Sequence, residues 1–145
     1  MTEIAFHFNA PGKLDYTCRL LRKAAGRGAH VVVTADADSL GKLDQLLWTF
    51  SALDFIPHCR ADGDATVVAA SPVVLASALD SLARRDILLN LGDEVPAGFE
   101  SFGRLIEVVS LDEDDRAGAR RRWKHYADRG YTLVRHDLAS AGAGA

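Results

Sequence analysis

A chain of 145 residues, 48% apolar and 26% charged, has the size and composition of a single globular domain with a real core. Its net charge of −3 and pI near 5.9 argue against a general nucleic-acid binder, which carries a strongly basic field. Cys18 and Cys59 are too few for a disulfide framework and fit a reducing cytoplasm. No apolar run approaches the roughly 20 residues of a membrane span. The opening MTEIAFHFN lacks a basic n-region and a cleavage site, so it reads as a strand and not as a signal peptide.

In chain order, residues 4–8 form a first predicted strand. Residues 14–25 carry Leu14, Cys18, Leu21 and Ala25 at helical spacing and run into Gly26 and Gly28, which suit a C-terminal cap. HVVVTA at 30–35 is a short β-branched run, typical of a strand covered on both faces. Asp38 or Ser39 is placed to cap a helix bearing Leu40, Leu43, Leu47 and Trp48. Phe55-Ile56-Pro57-His58 must leave the helix, because the residue before a proline avoids the α region. A polar turn at 61–64 precedes a buried-strand candidate at 66–70, then a short helix at 75–83. DILLNL at 86–91 and LIEVV at 105–109 are further buried strands, and 132–136 is the last. Residues 139–145 are a small-residue Ala/Gly tail expected to fray. Strands alternating with helices imply one α/β domain over 1–138. The expected architecture is an open, mainly parallel sheet with helices on both faces and right-handed crossovers.

The segment LDEDDRAGARRRWKHYADRGY, residues 111–131, stands out. Asp112, Glu113, Asp114 and Asp115 open it, arginines and a lysine fill the rest, and Gly130 closes it, an order that suits the helix macrodipole. Helical periodicity puts Ala119, Trp123, Tyr126 and Gly130 on one face. Arg116, Arg120, Lys124 and Ala127 run beside it, and Arg122, His125 and Arg129 form a second row. An aromatic stripe flanked by guanidiniums suits an acidic peptide with an apolar anchor. The same pattern also describes an ordinary amphipathic helix with a solvated face.

Catalytic and cofactor motifs are missing from the sequence. Asn9-Ala10-Pro11-Gly12-Lys13-Leu14 follows the first strand but is too short for a phosphate-binding loop and lacks its Ser/Thr. Gly26-Arg27-Gly28 precedes a strand instead of opening a helix, so it is no dinucleotide fingerprint. Asp93 and Glu94 read as a solvated turn. His58 and Cys59 are adjacent and have no second ligand pair at zinc spacing. The acids at 112–115 lack the alternation of a calcium loop, and no Gly-x-Ser-x-Gly elbow is present.

Three stretches taken together resemble a known family. They are Leu43-Asp44-Gln45-Leu46-Leu47-Trp48 leading to Phe55-Ile56-Pro57-His58; Arg84-Arg85-Asp86-Ile87-Leu88-Leu89-Asn90-Leu91; and Arg120-Arg121-Arg122-Trp123-Lys124-His125-Tyr126 with Gly130-Tyr131 and a closing strand. Their order and spacing are similar to the chi subunit of bacterial DNA polymerase III holoenzyme, over residues 4–138. The resemblance implies a nucleotide-binding-like α/β fold without a phosphate loop, and a cytoplasmic replication adaptor with no catalytic activity of its own and no cofactor or metal. It implies binding of the acidic C-terminal tail of single-stranded-DNA-binding protein through Val109, Arg116, Arg120, Trp123 and Lys124. It further implies binding of the clamp loader's psi subunit through Trp48 and Phe55, with room for a helicase on the same aromatics. Arginine at 116 and tryptophan at 123, where relatives carry lysine and tyrosine, keep a cation and an aromatic. On residues alone, Trp48 and Phe55 could equally be core; the resemblance favours exposure of at least one. Two other classes remain in view: a nucleotide-dependent or nucleic-acid-modifying enzyme on the same fold, which should show a phosphate loop, and a direct single-strand binder using the basic helix, which the acidic body disfavours.

Overall fold

The computed structural model describes residues 1–49, 56–80, 82 and 85–139. Seven parallel strands form one open sheet in the order β3-β4-β2-β5-β6-β1-β7. The strands are β1 (Glu3–Ala10), β2 (Val31–Thr34), β3 (His58–Arg60), β4 (Val73–Leu75), β5 (Ile87–Asn90), β6 (Arg104–Ser110) and β7 (Leu133–Asp137). The helices are α1 (Lys13–Gly26), α2 (Ala37–Thr49), α3 (Ala65–Ala70) and α4 (Glu113–Asp128), with a 3₁₀ turn at Phe99–Ser101. This is the open α/β architecture expected from the alternation of strands and helices.

The sheet is covered on both faces, which explains its continuous apolar runs. On one face Cys18 and Leu21 of α1 and Leu40, Leu43 and Leu47 of α2 pack on Val31, Val33, Leu75, Leu89, Ile106 and Val108. On the other, Ala119 and Tyr126 of α4 pack with Phe99 and Phe102 on Ile4, Phe6, Val32, Leu88, Leu105 and Val109. Val32 between Val31 and Val33 shows the strand alternation that divides the two layers.

Several boundaries differ from expectation. The cap of α2 is Asp36, two residues before the expected Asp38: it accepts from the Ser39 amide at 3.1 Å and the Ser39 hydroxyl at 2.7 Å. Residues 66–70 are helix α3, not a strand. Asp64 accepts from the Thr66 and Val67 amides, which starts a helical turn, and Val67 is exposed. The strand falls instead on Val73–Leu75, between β2 and β3, so the helix expected at 75–83 is not present among the described residues of that segment. β3, read from sequence only as a non-helical stretch, forms one edge. Both long helices end through glycines in the left-handed region, Gly28 at φ +76 and Gly130 at φ +81, which let the Ala29 and Tyr131 amides bond back to Ala24 and Tyr126. Gly26 stays inside α1. Phe55 and, apart from Ala139, the Ala/Gly tail lie outside the described residues.

Beneath α1, the His7 Nδ1 is bonded to the Tyr16 hydroxyl, and its ring meets that of His136 at 4.7 Å. Burial lowers the His7 pKa from 6.5 to about 4, and His136 and Arg104 add to the shift. A histidine kept neutral when folded but free to protonate when unfolded contributes fully above pH 6.5. That contribution is lost as pH falls toward 4. His7→Gln, which keeps an acceptor for Tyr16, should therefore show a shallower fall in urea midpoint across this window than the parent chain. Identical slopes would sink the assignment.

Candidate functional site

Several of the candidate side chains cluster where α4 meets β6, β1 and β7. β1 sends Phe6 and Phe8 to the α4 face as alternate residues, and the register Phe6↔Arg135 sends Arg135 of β7 to the same face. A bulge interrupts the β1–β6 pairing between His7 and Ala10, and Asn9 there takes the left-handed conformation at φ 63. Asn9 is held by donating to Asp137 Oδ1 at 2.8 Å. A groove of about 360 Å³ results, lined by Phe6, Phe8, Asn9, Val109, Arg116, Ala119, Arg120, Trp123 and Arg135. Its floor is aromatic and aliphatic: Trp123 stands edge-on to Phe6 at 5.1 Å, and Val109 is buried. Among the described residues its rims carry three arginines and its lining no carboxylate. Such a surface takes a ligand that is apolar at its tip and anionic around it.

Four of the five sequence-selected positions, Val109, Arg116, Arg120 and Trp123, line this groove. Lys124 does not; its ammonium reaches Asp128 at 3.7 Å on the exposed side of α4. Arg120 is itself exposed and donates to Glu113 at 2.8 Å, so a ligand carboxylate would compete with Glu113 for it. The sequence reading did not select Phe6, Phe8, Asn9 or Arg135. The Phe-His-Phe alternation marked the first two as sharing a face, but nothing local marked Arg135.

Arg122 is a correction. Helical periodicity groups it in a row with His125 and Arg129, yet it is buried. Its Nε donates to Glu107 Oε1 at 3.0 Å, and its Nη1 donates to the Asp93 carbonyl at 3.0 Å. Glu107, in the middle of β6, also accepts from the Tyr126 hydroxyl at 2.6 Å and from Asn90 at 3.1 Å. Burial pushes the Glu107 carboxyl up, while Arg122, Tyr126 and Asn90 pull it back. The net shift is upward; against it, the Arg122 guanidinium and the Asn90 amide nitrogen can only donate, which favours the carboxylate. The network pins α4 to the sheet one turn from Ala119 and beside Trp123.

At the carboxyl ends of the strands, where such sheets often bind ligands, lies a second depression. It is lined by six acids, Asp36, Asp93, Glu94, Asp112, Asp114 and Asp115, against Lys13, Lys42 and Arg121. Lys13, the lysine a phosphate loop would direct at its ligand, is bonded instead to both oxygens of Asp115 at 3.1 Å. Asp115 also accepts from the Ser110 amide. The lining has more acids than bases, a balance that disfavours a phosphate.

Trp48, at the far end of α2, is 59% exposed. It stands edge-on to His58, whose imidazole is bonded to the Ile56 carbonyl and to Asp44. With Leu14, Leu46 and Thr49 it shapes a shallow apolar surface remote from the groove. Among the described residues, no three His, Cys, Asp or Glu side chains could hold a metal ion, and no helix is long and apolar enough to cross a membrane.

The structure is thus an open parallel α/β domain with a strand-end depression lined largely by acids and, apart from it, an aromatic groove between arginines. The chain belongs to the family described as DNA polymerase III chi subunit, HolC, whose model matches residues 1–134. It is 34% identical over 143 residues to the DNA polymerase III subunit chi of Pseudomonas aeruginosa, covering 95% of this chain and 98% of that one. The chi subunit of Haemophilus influenzae is 28% identical over 120 residues, 82% of this chain and 83% of the relative. That of Escherichia coli is 27% identical over 121 residues, 80% and 79%. The chain is thus of a family of accessory subunits of DNA polymerase III, which act in DNA replication.

Proposed function

We propose that this chain is a replisome adaptor that captures the acidic, aromatic-ended C-terminal tail of single-stranded-DNA-binding protein and links it to the clamp loader through a psi-type subunit. One observation carries the reading: an apolar aromatic groove whose charged lining, among the described residues, is arginine alone. The terminal ring enters over Phe6, Val109 and Trp123. Its α-carboxylate meets Arg120, and Arg116 and Lys124 supply positive field to the acids upstream. Catalysis plays no part in this role, and the acid-lined strand-end cleft supports that view. Fluorescence anisotropy with a labelled tail peptide tests it. Binding should be saturable and should weaken with added salt, because partly exposed charges are screened. No binding, or salt-independent binding, would overturn it.

The second interface is the Trp48 surface, with Phe55 as its sequence neighbour. Trp48→Ala should weaken the complex with a psi-type partner by about 2 kcal/mol, as expected of an interfacial anchor, and leave tail binding unchanged. A loss of tail binding alongside partner binding would show unfolding in place of a separate interface, and circular dichroism on the same sample reports which.

A further inference from the structure

We infer that Arg135 of β7 is a further ligand-binding residue of the groove, one that stacks its guanidinium on the aromatic end of the bound peptide. The inference rests on the tail-binding reading above. Three observations carry it. Arg135 lines the groove from the β7 rim, whereas Arg116 and Arg120 line it from α4. Its guanidinium carbon sits 5.0 Å from the Phe8 ring centre and 6.0 Å from that of Trp123, so it already lies over the aromatic floor. Strand alternation fixes its direction: His136, the next residue, turns to the opposite face and meets His7.

The exposed guanidinium lies within cation–π reach of two rings at the rim of the open groove, where a third ring can approach it. A planar cation pairs with a ring face through the ring's quadrupole and keeps its N–H edges available for carboxylates. A ligand that offers a ring and nearby carboxylates satisfies both aspects of Arg135 at once. An aliphatic ligand of equal volume satisfies only one. Arg135 therefore confers preference for an aromatic over an aliphatic terminus, a different role from that of Arg120 at the carboxylate.

The test uses the full chain and two acidic peptides of identical length and charge, one ending in phenylalanine and one in cyclohexylalanine. Arg135→Ala should weaken the phenylalanine peptide about three- to five-fold, the size of an exposed cation–π contact, and should change the cyclohexylalanine peptide much less. Arg135→Lys should retain part of the aromatic preference. Equal losses for both peptides would reduce Arg135 to a general positive charge and overturn the inference. So would an Arg135→Ala chain that binds the phenylalanine peptide as the parent does, while the tail reading would stand. Failure of the parent chain to bind either peptide would overturn both.

Discussion

Glu107→Ala should destabilise the fold by about 3–5 kcal/mol, the loss expected when one partner of a buried ion pair is removed and the other charge stays behind. Glu107 is fully buried, and Arg122 nearly so. The alanine chain strands the Arg122 guanidinium and takes the acceptor from Tyr126 and Asn90 together. The network is not simply a device for stability. Arg122 Nη2 is buried with no hydrogen-bond partner among the described residues, a cost of placing a guanidinium here. A side-chain Cβ at Gly118 would come within 3.2 Å of Arg122 Nη1, so the helix is cut away to admit the group. A network so accommodated fixes the rotation of α4 on the sheet, and with it the direction of Arg116, Arg120 and Trp123. The double variant Glu107→Leu with Arg122→Met should recover most of the stability lost in Glu107→Ala, since an apolar pair avoids the buried charge. Urea denaturation of both chains checks this. Equal destabilisation of the single and double variants would show that packing, and not the stranded charge, dominates.

Arg120→Ala should lower tail-peptide affinity by about 2 kcal/mol, as when one partner of a charge-assisted pair is lost. The fold should not respond, because the Arg120 side chain is 62% exposed and its partner Glu113 is more so. Amidating the peptide's C-terminus should weaken binding to the parent chain by a similar amount and to Arg120→Ala by much less, as coupled partners do in a double-mutant cycle. Glu113→Gln, which frees Arg120 from its intramolecular partner, should tighten binding modestly. Equal amidation losses in parent and variant would show that Arg120 does not meet the terminal carboxylate. The three chains and both peptides are measured at one ionic strength, since the Coulombic share varies with salt.

The regular elements were readable in the sequence because each carries a local physical mark. VVVT and ILLN are β-branched or aliphatic runs that only a two-sided burial accounts for, and both are central strands. The α4 acids, its apolar face and Gly130 set that helix and its ends by electrostatics and backbone conformation. The face joining Ala119, Trp123 and Tyr126 followed from the 3.6-residue period, and half of the groove came with it. Local marks misled where two readings compete over a few residues. Val67 and Val68 suggested a strand, but the Asp64 cap and the sheet's demand for Val73–Leu75 made them helical. Two features required the tertiary structure. Arg122 looked like its neighbours Arg120 and Arg121, and only the position of Glu107 on the strand beneath draws it inward. Arg135 looked like any charge on an edge strand, and only the parallel register with Phe6 turns it into the groove. Side-chain periodicity within an element is written in its own residues. Which element lies opposite, and in what register, is settled by packing between separate segments, 15 residues apart for Glu107 and Arg122 and more than a hundred for Phe6 and Arg135, and that leaves no local trace.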